Sequence, residues 1–279
     1  MSLRLMYITN NPEVALIAEA TGVDRIFVDM EYIGKSERQG GMDTVQCCHT
    51  VEDVAKLRQV VTKAKLLVRV NPIHDATDAY GSSEEEINAV LDAGADIVML
   101  PYFKTVEEVS TFLRLVNGRA ATLLLVETPA AVELLDEILA LEGVDEVLVG
   151  LNDLSLGYGK KFMFELLADG TVEQICVKCR LKGIPYGFGG IAAPGKGMLP
   201  AERVIAEHYR LGSTCAILAR SFCNTSVVTD IDEIRAIFED GMKEIRAFEA
   251  ECQERSAWFR ENHTMMCDKI RQIVSDLNR

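Results

Sequence analysis

Short apolar runs alternate along this chain with longer stretches whose apolar positions recur at helical spacing. Leu5–Thr9, Arg25–Asp29, Leu66–Val70, Ile97–Leu100, Thr122–Val126, the run that begins at Glu146, Ile184–Phe188 and Thr214–Leu218 read as eight strands. Between them the pattern predicts a helix started by Asn11-Pro12 and stopped at Gly22, then Val51 to about Thr62, and Glu84–Ala93. The next helix is capped by Thr105, with Glu108 three residues on to reach back, and ends near Gly118. Helices over Pro129–Leu141, Phe162–Leu181 and Ala201–Leu211 complete the series. From Asp230 onward the pattern is helical nearly to Arg279.

Eight strands with helices between them predict a (β/α)₈ TIM barrel over residues 1–229 and a C-terminal helical segment over 230–279. A doubly wound open sheet is the alternative. The first strand-to-helix turn, Thr9-Asn10-Asn11-Pro12, contains no glycine, so it carries no dinucleotide fingerprint.

Composition narrows the function classes. The chain has 279 residues, 48% of them hydrophobic, which is ample for one large core. Acidic residues number 43 against 29 basic ones, a net charge of -14, which speaks against nucleic-acid and anionic-membrane partners. No stretch reaches the roughly 18 apolar residues of a membrane span, and no signal-peptide pattern opens the chain. Cytoplasmic residence is expected. Cys176-Val177-Lys178-Cys179 has no second pair at a zinc-binding spacing and reads as packed thiols.

Barrel enzymes carry their chemistry at the C-terminal ends of the strands. Those ends bear Asp29 and Glu31, Arg69, Glu127, Asp153, Gly187 and Gly189, and Arg220. Any single charge there could simply solvate a loop; five charged strand ends together suggest a site. Glu127 and Asp153 each end an apolar run and are joined by one predicted helix, so their strands should be neighbours. A carboxylate in such a place is costly without a partner, and a hard divalent cation is one partner it can take.

Five strings occur in order: Val68-Arg-Val-Asn-Pro72, Leu91-Asp-Ala-Gly-Ala-Asp-Ile-Val-Met-Leu-Pro101, Val126-Glu-Thr-Pro-Ala-Ala-Val132, Gly143-Val-Asp145 and Val149-Gly-Leu-Asn-Asp-Leu-Ser155. Over roughly Asn11–Arg220 the chain resembles the HpcH/HpaI aldolase and citrate-lyase-like family of metal-dependent class II pyruvate aldolases. The resemblance implies a TIM barrel whose last helix is exchanged between subunits. It implies a metal held by Glu127 and Asp153, with Mg²⁺ or Mn²⁺ expected and Co²⁺ a further option. It also implies that Arg69 stabilises the oxyanion of a metal-bound pyruvate enolate. The expected activity is a carbon–carbon lyase that forms or cleaves a 2-keto-acid aldol, with a 2-keto acid and an aldehyde as partners. The alternatives are an acyl-thioester lyase of citrate-lyase type and a non-catalytic, metabolite-binding oligomeric barrel.

The chain departs from the family where a D-x-E-H string is usual. It reads Asp29-Met30-Glu31-Tyr32, so a phenol of ordinary pKa near 10 stands where the acid/base histidine is expected. Asp29, Glu31 and Tyr32 are expected to shape the acid/base side, with His49 as the substitute imidazole. The loop after the second strand carries Lys35 and Arg38, expected to reach an anionic second substrate. Leu151 stands where a proline is common; with Asn152 and Arg220 it is expected at the substrate. The glycine-rich Gly187–Gly197 loop, with Lys196, is a further candidate anion site. Ile234, Phe238, Met242, Ile245, Trp258, Met266 and Ile270 give the C-terminal segment more apolar surface than one barrel obviously covers. Packing between subunits is therefore expected, in a homo-oligomer (dimer, trimer or hexamer).

Overall fold

The computed structural model describes residues 2–35, 47, 49–254 and 256–277. Eight strands, β1 (Arg4–Ile8), β2 (Arg25–Asp29), β3 (Lys65–Arg69), β4 (Ile97–Leu100), β5 (Ala121–Val126), β6 (Glu146–Val149), β7 (Tyr186–Ile191) and β8 (Cys215–Leu218), pair in parallel in sequence order. β8 closes on β1, giving the predicted barrel.

Strand parity decides what fills the interior. Successive side chains point to opposite faces, so alternate residues of a strand enter the barrel. Phe27, Leu67, Leu123 and Leu148 form the interior cluster, while Ile26, Val28, Leu66, Val68, Leu124, Val126, Val147 and Val149 belong to the cluster under the helices. Counting by two from the interior set places Asp29, Arg69, Glu127 and position 150 at the mouth. The same count places Arg25 and Glu146 at the floor, where Arg25 and Arg4 both pair with Glu146, at 2.5 and 2.6 Å.

The outer helices are α1 (Pro12–Ala20), α2 (Val51–Val60), α3 (Ser83–Asp92), α4 (Val106–Val116), α5 (Pro129–Glu133), α6 (Leu135–Ile138), α7 (Leu151–Gly157), α8 (Glu165–Ala168), α9 (Thr171–Leu181) and α10 (Ala201–Leu211). The Thr105–Glu108 capping box forms as predicted: Glu108 N–H donates to Thr105 Oγ1 and Thr105 N–H to Glu108 Oε2. Two predicted helices are each divided. Pro129–Leu141 breaks at Leu134, and Phe162–Leu181 breaks at Gly170, whose φ of +86° is left-handed and interrupts the helix. The seventh strand runs later than predicted, through Ile191.

The C-terminal segment is two helices, α11 (Ile231–Glu254) and α12 (Phe259–Leu277), with a 3₁₀ turn at Ser256–Trp258 between them. α11 packs on α1 and α10 as the barrel's eighth helix, and α12 folds back over α10 and α8. Glu249 of α11 pins it to the barrel by accepting the Leu3 N–H at 2.7 Å. Ile234, Phe238, Met242, Ile245, Met266 and Ile270 are buried within the chain itself. These six side chains are thus covered by the chain's own helices, while Met265 stays exposed. Among the described residues, no helix is long and apolar enough to cross a membrane.

Candidate active site

The mouth of the barrel opens into a cavity of about 790 Å³. Asp29, Lys35, His49, Arg69, Glu127, Leu151, Asn152, Asp153 and Arg220 all line it. Arg38 lies outside the described residues.

Asp29 is the hub of the cluster. It is 2% exposed, at the last position of β2, directly across the ladder from Arg69 at the end of β3. That register delivers a two-pronged pair: Arg69 Nε donates to Asp29 Oδ1 and Nη2 to Oδ2, each at 2.8 Å. Lys35 Nζ adds a third contact to Oδ2 at 2.8 Å. Burial works against the Asp29 carboxylate, but the two cations outweigh it and hold its pKa well below the usual range. Glu31, 1% exposed, takes Arg69 Nη1 at 3.2 Å and Lys35 Nζ at 3.6 Å. Arg69 has five N–H donors, so donors remain to face the cavity after these pairings. Burial opposes its charge, yet Asp29 and Glu31 keep the guanidinium protonated beyond its ordinary strength.

Glu127 follows β5 and is 2% exposed. Its Oε1 accepts the Tyr102 N–H at 2.9 Å, from a residue in the left-handed region at φ +48°. Burial raises its pKa well above 4.5, and the Glu31 and Asp153 carboxylates raise it further against the pull of Arg69. Asp153 was expected at a strand end. It lies instead in the first turn of α7, because β6 stops at Val149 and Gly150 opens the helix. Gly150 occupies a mouth position with no side chain. A Cβ there would stand 2.7 Å from both Cβ and Oε2 of Glu127. The missing methyl is the space the Glu127 carboxyl uses.

His49 precedes α2. The Asp29 N–H donates to its Nδ1 at 3.0 Å, which fixes the ring proton on Nε2. Burial lowers its pKa against the opposing pull of Asp29 and Asp53, so the imidazole stays neutral.

One residue departs from its expected place. Tyr32 is not brought to the cavity. Its ring is 53% exposed and packs edge-on against Tyr80, because the Tyr32 and Ile33 amides both donate to Asn71 Oδ1 at 2.9 Å. Lys35 lines the cavity with its ammonium buried on Asp29 and Glu31. Of the Gly187–Gly197 loop, Gly189 and Gly190 line the cavity, while Lys196 is exposed and does not. Cys176 and Cys179 are buried in α9; burial raises both thiols, Cys179 to about 12, as expected of packed thiols. Asn71, 2% exposed, escaped notice in the sequence. Its Nδ2 donates to Glu86 Oε1 at 2.8 Å, and the pair clamps the chain after Glu31. The Asn-Pro closing β3 was the only trace it left.

The sequence signature of the HpcH/HpaI aldolase/citrate lyase family matches residues 4–188. The 4-hydroxy-4-methyl-2-oxoglutarate aldolase of Chaetomium globosum is 24% identical over 196 residues, covering 65% of this chain and 72% of that protein. A hydroxypyruvate/pyruvate aldolase of Roseovarius nubinhibens is 30% identical over 94 residues, 34% of this chain and 35% of its own length. Among solved structures, an HpcH/HpaI aldolase/citrate lyase family protein from Burkholderia cenocepacia superposes with a TM-score of 0.61 at 15% identity, over 84% of this chain and 95% of that one. The citrate synthase SbnG does so at 0.60 and 17%, over 84% and 94%.

Proposed function

The chain belongs to the HpcH/HpaI aldolase/citrate lyase family, and from that premise we propose that it makes or breaks the carbon–carbon bond between a pyruvate-type 2-keto acid and an aldehyde, with a divalent cation on Glu127 and Asp153. One observation supports this most: both carboxylates line the cavity that Arg69 also faces. The donor set fits a hard cation. Arg69 and Lys35 are committed to Asp29 and Glu31, while Glu127 remains buried against two other carboxylates. Among the described residues, no three His, Cys, Asp or Glu side chains are grouped to hold an ion. Two protein carboxylates suit Mg²⁺ or Mn²⁺, which keep other positions for water and substrate oxygens. When bound, such a cation supplies Lewis-acid stabilisation of charge on the keto oxygen.

The chain's own groups divide the remaining work. In the addition direction a methyl proton leaves the keto acid, the new bond forms at the aldehyde carbon, and the aldehyde oxygen takes a proton. No redox partner is needed. Arg69 offers its remaining N–H donors to the carboxylate or keto oxygen, held rigid by Asp29. Rigid donors of this kind stabilise developing charge without reorganising. His49, neutral and protonated at Nε2, is a hydrogen-bond donor to the oxygen that gains charge; in this tautomer it is not a base. His49→Phe is expected to lower turnover on the order of 10²-fold. Protonation would place an N–H at Nδ1 against the Asp29 N–H and turn the ring from its position, so activity should hold while the imidazole is neutral and fall only below its lowered pKa. A kcat profile breaking at or above 6.5 contradicts the assignment.

The reading is tested by holding the protein with pyruvate in D₂O and following the methyl signal by NMR. Exchange with Mn²⁺ and none after chelation is expected. Exchange that survives chelation, or none with metal, overturns it. The Gly150 gap gives a second check. Gly150→Ala should weaken Mn²⁺ binding more than tenfold and cost about 1–3 kcal/mol through overpacking, read by titration and melting. Unchanged affinity would mean that Glu127 does not hold the ion.

A further inference from the structure

Outside the barrel mouth, the fold-back of α12 assembles a second cluster of reactive groups. His263 and Cys267 stand four residues apart, so they share one face of α12. Cys267 Sγ lies 3.6 Å from His263 Nε2, and His263 Nδ1 lies 2.9 Å from Oε1 of Glu207 on α10. Glu207 is fully buried, and Arg210 Nε donates to both of its oxygens at 3.0 Å. Arg210 is anchored in turn on Glu173 of α9, at 2.8 Å. A carboxylate engaged in this way only accepts, so the His263 proton sits on Nδ1 and Nε2 turns its lone pair to the thiol. Cys267 also lines a separate cavity of about 380 Å³, walled by Ile270, Arg271 and Val274 of α12 and by Lys160, Ala168 and Asp169 opposite. Among the described cysteines, Cys47 and Cys267 are partly exposed, and Cys176, Cys179, Cys215, Cys223 and Cys252 are buried.

We propose that Cys267 is a nucleophilic thiol, with His263 as its base and Glu207 orienting the imidazole, and that it exchanges with a small disulfide taken into this cavity. The Cys267 sulfur forms a bond to one sulfur of the disulfide, and the disulfide's own S–S bond breaks. The leaving sulfur departs with the electron pair as a thiolate. The Cys267 proton passes to His263 Nε2 and from there to that thiolate. Cys267 is oxidised to a mixed disulfide, one half of the small disulfide is reduced to a thiol, and no other reactant is needed. Burial raises the Cys267 thiol above its ordinary value, with Glu207 adding to the rise and Arg271 and Arg210 opposing it. The sulfur therefore keeps its proton at rest, and a base must take it as the attack occurs. Acyl transfer, the other common chemistry of such a relay, needs donors for an oxyanion. α12 is unbroken from Phe259 to Leu277, so the amides around Cys267 are used inside the helix. Displacement at sulfur keeps the charge on sulfur and needs no such donors. The lining suits a compact partner without strong charge, since Lys160 is paired with Asp169 at 2.8 Å and Arg271 with Asp268.

The experiment treats the folded full-length protein with 2-hydroxyethyl disulfide and reads the rate at each cysteine by peptide mass spectrometry. Cys267 should react at least about tenfold faster than Cys47, whose thiol burial pushes up to about 11. His263→Gln keeps a donor for Glu207 on a side chain that suits a helix, and should lower the Cys267 rate on the order of 10²-fold. The dependence on pH separates base assistance from simple exposure. An unassisted thiol below its pKa reacts about tenfold faster per pH unit, because only the thiolate attacks. His263→Gln should show that slope between about pH 7 and 8.5, and the unaltered protein a shallower one. A Cys267 rate no greater than that of Cys47 overturns the proposal, as does an unchanged rate in His263→Gln. The full slope in the unaltered protein overturns it without any variant.

Discussion

Glu127→Gln is expected to abolish divalent-cation binding and lower turnover by at least 10²–10³-fold, while making the chelated protein more stable. The two effects have one cause. Glu127 is buried, and the Glu31 and Asp153 carboxylates oppose its ionisation. With no cation the folded protein must either hold a repelled charge or take up a proton. Either alternative costs free energy relative to a neutral side chain of the same shape. A buried group left in this condition costs roughly 1–3 kcal/mol. A kilocalorie shifts the melting temperature of a domain this size by about 2–4 °C. The amide keeps the acceptor for the Tyr102 N–H and removes the charge. Thermal melts in chelator should therefore rank Glu127→Gln above the wild type. With saturating Mn²⁺ the order should reverse, because only the wild type gains the binding free energy. A variant that melts lower in both conditions would make Glu127 a structural residue.

Much of this site was legible because barrel strands obey a period of two. The strand ends Asp29 and Arg69 are read directly off the sequence, and their parity with Phe27 and Leu67 turns both inward. Glu127 follows by the same count from Leu123 and Leu125. Asp153 breaks that logic. Its strand stops four residues earlier, and a helical turn carries it to the cavity. The apolar run Glu146–Leu151 is continuous through a glycine, so composition alone could not show where extended backbone gives way to helix. Tyr32 was assigned a wrong place for a related reason. Loop residues have no periodicity, and the direction of this loop is set from a distance, by Asn71 holding two of its amides. His49 was visible as a residue type only; its tautomer depends on a backbone N–H at the end of another element. The long C-terminal pattern was correctly helical. Its fold-back onto α10 and α8 could not be seen, since an apolar stripe does not say which element covers it.

Arg69→Met should cost more than any other single change at the site. Its guanidinium is paired with two carboxylates that are 2% and 1% exposed. Removing one partner of a buried pair leaves an uncompensated charge and typically costs about 3–5 kcal/mol. Lys35 survives in the variant but reaches Asp29 at one oxygen only. The effect has a direction in pH. The Asp29 pKa is depressed in the folded state from an ordinary value near 3.8. The stability it contributes is therefore complete above that value and is lost as pH falls below it, toward the folded pKa. In the variant the depression is relieved, so this acid-side slope should flatten while stability at neutral pH drops. Asp29→Asn should flatten the same limb, and the double variant should show less than the sum of the two losses, because the residues share one contact. Activity should follow the geometry as well as the charge. Arg69→Lys restores a cation without the fork that grips both Asp29 oxygens and still leaves donors for the cavity. We expect it to recover most of the stability and little of the turnover, remaining on the order of 10²-fold below the wild type. Equal recovery of both would mean that Arg69 serves only to neutralise Asp29 and Glu31, and would remove it from the chemistry.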